Sequence, residues 1–99
     1  MKSNSYYGFF RNFANKTKMA IITVLMDGPM NATDIAEILG EEQSKISHNL
    51  NKLAHCHVLE VRQEGKNRIY SLNKETVMPM LKIVEKHIES HCKGARCIE

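Results

Sequence analysis

No stretch of this sequence is apolar for long enough to cross a membrane. The longest apolar-leaning run, Met19 to Met26 behind Lys16 and Lys18, is far short of a bilayer span. It also begins too far from the N-terminus for a secretory signal, lacks a small-residue cleavage site and ends in Asp27-Gly28-Pro29. It reads as a buried helix, with no membrane partner and a cytoplasmic location expected. A disulfide framework is missing too: the cysteines number 3, an odd count, as suits a compartment that keeps thiols reduced. There is no phosphate-binding loop and no nucleophile beside an evident base, and 99 residues leave no room for a substrate domain, so no enzyme is expected. Strong charge is lacking as well. A net charge of +3 and a pI of about 8.8 permit an anionic partner without demanding one, so the placement of the charges must decide.

What is present is globular in character, with 42% hydrophobic and 25% charged residues, and of a size for one domain spanning 1–99. Such a chain buries a modest core, and pairing with a second copy would hide more apolar area. The stretch 31–56, NATDIAEILGEEQSKISHNLNKLAHC, organises the rest. Asn31 can cap a helix from about Thr33 to Leu39, with Asp34 supporting the first-turn amides and Ile35, Ile38 and Leu39 facing inward. Gly40 ends that helix and allows a turn. A second helix follows from about Gln43 to Cys56, with Ile46, Leu50 and Leu53 on its inner face. Its outer face carries Gln43, Ser44, Lys45, Ser47, His48 and Asn51. These are short or flexible hydrogen-bonding residues suited to base edges and phosphates, and no acidic residue lies between Gln43 and Asn51. Helix, glycine turn and second helix make a helix-turn-helix, which places its second helix in a DNA major groove.

Ahead of this unit, 5 of the chain's 6 aromatic residues fall in SYYGFFRNF, residues 5–13. Tyr6, Phe9, Phe10 and Phe13 share one stripe at helical spacing, which serves either core packing or a partner subunit. Residues 16–27 form a second helix, its Met19, Ile22, Val24, Leu25 and Met26 mostly buried, stopped by a left-handed Gly28 and by Pro29. Met30 begins a short extended segment.

Behind it, VLEVR (58–62) and RIYSL (68–72) alternate as strands, joined by a turn over Gln63–Asn67 in which Gly65 and Asn67 can supply positive φ. A hairpin after a helix-turn-helix is a wing, and Arg62, Lys66, Asn67 and Arg68 place its positive charge where a phosphate backbone would run. The last helix starts either at Asn73 with a slight kink or cleanly with Pro79 in its first turn. Val77, Leu81, Val84 and Ile88 form one apolar stripe on it and Met80, Ile83 and His87 a flanking one, too broad for one small domain to cover. An isologous homodimer is therefore expected, held by helices within 1–14 and 74–91, through Tyr6, Phe9, Phe10, Phe13, Met80, Leu81, Val84 and Ile88, with 92–99 a flexible tail. The expected fold is mainly α with a small β-hairpin, a winged helix-turn-helix of order α-α-α-α-β-β-α.

That order and size resemble the ArsR/SmtB family of transcriptional regulators over roughly residues 10–90. The most specific part is Gln43-Ser44-Lys45-Ile46-Ser47-His48-Asn49-Leu50, similar to the family's SQSTVSHHL recognition helix, with Leu53 and Val58-Leu59 at the family's spacing. Gly65-Lys66-Asn67-Arg68-Ile69-Tyr70-Ser71-Leu72 resembles its G+xxxYxL wing. The resemblance implies a homodimeric repressor that binds a palindromic operator in double-stranded DNA and releases it on sensing an inducer. It also exposes departures. Glu42 stands where the family has Ser or Thr before the recognition helix. The family's ELCVCDL metal motif corresponds to Asp34–Gly40, which has no cysteine. The last-helix metal site is missing, since Glu85-Lys86-His87 lies too late in the helix and its downstream partner position would be Ile98.

Two soft-ligand clusters remain as candidate sensors. His87 and His91 lie one turn apart on one helix face, and with Cys92 and Cys97 they could hold Zn, Cd or arsenite. The same thiols could instead form a regulatory disulfide or react with a persulfide, with Lys93 and Arg96 favouring the thiolates, or they could be incidental to a frayed terminus. Cys56 ends the recognition helix. It reads as a cysteine buried under the hairpin or as a thiol sensor, although the paired cysteine found in some family members is Lys52 here. Against the DNA reading stand a winged-helix module that binds protein, and a constitutive DNA binder with no inducer; the acid-free face favours DNA.

Overall fold

The computed structural model describes residues 3–91 as five helices and one hairpin, in the expected order. Helix α1 runs Ser3–Ala14 and α2 runs Lys16–Leu25. The single residue between them, Asn15, is extended and its Oδ1 accepts a hydrogen bond from the Lys18 amide at 2.9 Å, which satisfies a first-turn donor of α2. Helix α2 stops at Leu25, two residues short of the expected Asp27. Gly28 does have positive φ, at +146°, but it lies in the turn after the helix and is no left-handed cap. Helix α3, Ala32–Leu39, is capped by Asn31, whose Oδ1 accepts from the Asp34 amide at 2.8 Å.

The turn that follows is a Schellman motif. Gly40 sits left-handed at φ +65°, its N–H donates to the Glu37 carbonyl, and the Glu41 N–H donates to the Ala36 carbonyl at 3.0 Å. Helix α4 is Gln43–His55. Glu42 occupies its N-cap with no side-chain capping bond, consistent with a carboxylate standing where Ser or Thr would cap. A second Schellman motif ends α4: His57 N–H donates to Ala54 and Val58 N–H to Leu53, both at 3.0 Å. The left-handed position is His57, at φ +59°, the one non-glycine with positive φ among the described residues. That conformation costs a side-chain-bearing residue roughly 1 kcal/mol, offset here by Leu53 and Val58, which the turn holds fully buried in the core.

Strands β1, Leu59–Glu64, and β2, Asn67–Leu72, pair antiparallel with Leu59 opposite Leu72 and Glu64 opposite Asn67. The turn is therefore only Gly65-Lys66, tighter than the expected Gln63–Asn67, and only Gly65 needs positive φ (+61°). The hairpin is tied to the body by Met30, which exchanges two backbone hydrogen bonds with Tyr70, at 2.8 and 3.0 Å. Helix α5 is Val77–His91, starting cleanly with Pro79 in its first turn, where the missing N–H costs nothing. Asn73 sets that start. Its Oδ1 accepts from the Glu75 and Thr76 amides, and its Nδ2 donates back to the His57 carbonyl at 2.9 Å.

The core is built from Ile21, Ile22 and Leu25 of α2, Ile35 and Ala36 of α3, Ile46, Leu50 and Leu53 of α4, the hairpin base (Val58, Leu59, Tyr70, Leu72), and Val77 and Leu81 of α5. Fully burying each of the larger side chains stabilises the fold by roughly 1.5–3 kcal/mol. One inward expectation fails, and one core residue was not foreseen. Ile38 is 58% exposed, and Ala36 takes the inner position beside Ile35, because the helix turns Ile38 away from the core. Ile21, not singled out in the stripe of α2, is fully buried. Among the described residues, no helix is long and apolar enough to cross a membrane.

Candidate nucleic-acid interface

Helix α4 is fixed from behind. Ile46, Leu50 and Leu53 are completely buried, so the helix cannot roll without uncovering all three. The opposite face is then set by the 3.6-residue repeat. Ser44, His48 and Asn51 line that side, with Lys45 on one flank and Gln43 and Ser47 on the flank towards the wing, and all but the half-buried Ser47 are open to solvent. Lys45 Nζ lies 3.2 Å from Glu41 Oε1, both exposed, so that cation is partly answered from the preceding turn. Asn49, turned to the side, donates to the Lys45 carbonyl at 2.9 Å and is not free for reading bases. The remaining outward groups, amides, hydroxyls and an imidazole, carry donors and acceptors with no side-chain partner among the described residues.

The hairpin stands beside this face. A cleft of about 280 Å³ separates them, lined by Gln43, Ser47 and Asn51 of α4, Asn31 and Thr33 at the start of α3, and Lys66, Asn67 and Arg68 of the wing. The structure thus gathers most of the expected DNA residues around one concavity. Arg68 is steadied by its own strand, its guanidinium 5.6 Å from the Tyr70 ring centre. Arg62 departs from expectation. It forms an ion pair with Glu64 at 2.6 Å, with Nε also 2.7 Å from the same oxygen, so the wing's cation at that position already has an anion beside it. Thr33 and Asn31 were not among the expected interface residues. The signal that would have found them is positional: in a helix-turn-helix the first helix crosses the DNA backbone.

The soft-ligand clusters fare differently. Cys56 is exposed, not buried under the hairpin, because the Schellman turn swings Val58 inward in its place. His87 and His91 do lie together, ring centres 4.7 Å apart. Cys92 and Cys97 lie outside the described residues. Among the described residues no group of three or more His, Cys, Asp or Glu side chains is placed to hold a metal ion. The two imidazoles alone do not make such a site, and would need ligands from the tail.

The residues expected to pair subunits divide. On α1, Phe9 and Phe13 pack against the core, with the Phe9 ring centre 5.2 Å from both Phe10 and Phe13, while Tyr6 and Phe10 are about half exposed. On α5, Leu81 is buried inside the protomer and Met80 packs partly on the core, so neither presents a full side chain outward. Past Leu81 every described residue of α5 is exposed, including Ile83, Val84 and Ile88.

Comparison with known proteins agrees with this geometry. The profile of "Bacterial regulatory protein, arsR family" matches residues 15–60, from the N-cap of α2 into β1. The transcriptional repressor SdpR of Bacillus subtilis is 32% identical over 81 residues, covering 78% of this chain and 90% of SdpR. This chain belongs to the ArsR family. Its members are transcriptional regulators of winged helix-turn-helix fold and not enzymes. The HTH-type transcriptional regulator NmtR of Mycobacterium tuberculosis is 35% identical over 68 residues, 69% of this chain, and the chain spans 57% of NmtR's length. Among solved structures, the AntR antimony-specific transcriptional repressor superposes with a TM-score of 0.73 at 26% identity, over 89% of this chain and 80% of AntR.

Proposed function

We propose that this chain is a homodimeric repressor that reads a palindromic operator with α4 and grips its backbone with the wing. The observation that carries this reading is the acid-free face of α4, locked outward by three fully buried residues and facing a cleft shared with Lys66 and Arg68. In such a complex Ser44, Ser47, His48 and Asn51 would meet base edges, and Gln43, Asn67 and the wing cations would meet phosphates. Two copies related by a two-fold axis would present two such helices to successive major grooves, and the uncovered Ile83, Val84 and Ile88 with Tyr6 and Phe10 supply apolar area for that pairing. The inducer would be a soft metal ion, an arsenical or a thiol oxidant taken up by His87, His91, Cys92 and Cys97. Its support is the pairing of the two imidazoles and the likeness to the antimony-specific repressor AntR.

The test is a mobility shift with the purified chain on DNA from upstream of its own coding sequence, repeated with Zn²⁺, Cd²⁺, arsenite and an oxidant. Retardation that resists non-specific competitor and is relieved by one of these additions is the expected result. No sequence preference would contradict the repressor; a complex indifferent to every addition would remove the inducer and leave a constitutive binder.

A further inference from the structure

A helix seated in the major groove has two flanks, and each faces one of the two phosphate strands that border the groove. The wing serves one flank of α4. On the other flank lies a concavity of about 730 Å³, between α4 and the α1–α2 junction. Arg11 and Lys18 line it from α1 and α2, and His48, Asn51 and Lys52 from α4, with Cys56 at one end. No Asp or Glu is among its lining residues. The ion pairs of the described residues, Lys45–Glu41 and Arg62–Glu64, involve none of its cations. Arg11 is held by the Tyr7 ring, 5.6 Å from its centre, which orients the guanidinium without neutralising it. The groove is continuous with the reading face, because His48 and Asn51 belong to both and Asn51 also lines the wing-side cleft.

From this we infer that the α1–α4 groove is a second phosphate track, holding the DNA strand opposite to the one the wing grips, with Arg11, Lys18 and Lys52 as its cations. The inference rests on the DNA-reading role proposed above and assigns a DNA contact to the α1–α2 junction. Its chemistry is charge-assisted hydrogen bonding to phosphodiester oxygens, without base preference. The aromatic residues Tyr6 and Phe10 lie on another face of α1 from Tyr7 and Arg11, so α1 can serve the groove and a subunit contact together.

The test compares the intact chain with an Arg11→Gln/Lys18→Gln variant and with Lys66→Gln, each checked for unchanged thermal unfolding, on a DNA fragment that the intact chain retards. Each phosphate contact removed lowers the slope of log K against log salt by about 0.9. A drop of about 2 for the groove variant, with sequence preference unchanged, is the expected result. An unchanged slope, with Lys66→Gln still lowering it, overturns the groove and leaves the DNA-reading role standing; no binding by the intact chain to any DNA overturns both. A second readout uses Cys56, which is exposed at the end of the groove. Alkylation by iodoacetamide, followed peptide by peptide, should slow at Cys56 several-fold when DNA is bound. Equal labelling with and without bound DNA, or equal protection by inorganic phosphate at matched ionic strength, overturns the track.

Discussion

The two flanks of α4 present their cations by different means. On the wing side the cations sit on a two-stranded hairpin whose tip is exposed on both faces, and one of them, Arg62, is already paired with Glu64. On the α1 side the cations sit on helices and face a groove with no acidic lining. The wing reaches far but is anchored only at its base, through Met30–Tyr70 and the buried Leu59 and Leu72. The groove reaches less far, and its walls are packed helices. Charge along the sequence is therefore a poor guide to charge available to a partner. The hairpin holds three cations within seven residues, Arg62, Lys66 and Arg68, yet it carries its own counter-ion in Glu64.

Both flanks depend on the seat of α4, so disturbing that seat has the greatest consequence. Leu50 is fully buried behind the polar face of α4, and Leu50→Ala should cost about 2–5 kcal/mol of stability, read as a lower midpoint in urea unfolding. A shift below about 1 kcal/mol would mean that α4 is not held by its inner face. Next, Asn73→Ala removes the clamp between the end of α4 and the start of α5, three hydrogen bonds in all, and should cost about 1–3 kcal/mol. Hydrogen exchange should then quicken at Glu75 and Thr76 while the amides of α3 keep their protection. Smaller, and opposite in sign, His57→Gly relieves the left-handed strain and should stabilise by up to about 1 kcal/mol in the same urea titration, partly offset by the freer unfolded chain. The mildest change bears on the contrast between the flanks. Glu64→Gln frees Arg62 and should steepen the salt dependence of DNA binding by at most about 1 in slope, bringing the wing nearer the groove in available charge.

The helix order, the Asn31 cap, the Gly40 turn and the inner face of α4 were legible in the sequence, because each depends on neighbours within a turn or two. The start of α5 was legible only to two alternatives, since the choice rests on Asn73 bonding across to His57, sixteen residues away in the chain. Ile38 and Cys56 were misplaced for a related reason: whether an apolar or thiol side chain is covered depends on what packs over it, not on its own period. The left-handed His57 left no mark at all, because glycine is the residue that usually announces that conformation. The polar, acid-free face of α4 was legible in the sequence, and the structure leaves most of it exposed. The cations on the far flank were not legible, because Arg11, Lys18 and Lys52 come from three separate helices and only the folded chain brings them to one groove. The apolar stripe on α5 was legible as too broad to bury, but not that Leu81 would be the last of it to enter the protomer core.

The repressor role requires α4 to read sequence, and selection from a random pool of duplex DNA decides whether it does. The intact chain should enrich a two-fold symmetric sequence. His48→Ala should relax the preference at one symmetric pair of positions, by about 1–3 kcal/mol for each base-edge hydrogen-bonding pair removed, while the rest of the motif persists. Enrichment of no motif, or of the same motif with and without His48 and with and without Ser44, would show that α4 does not read bases.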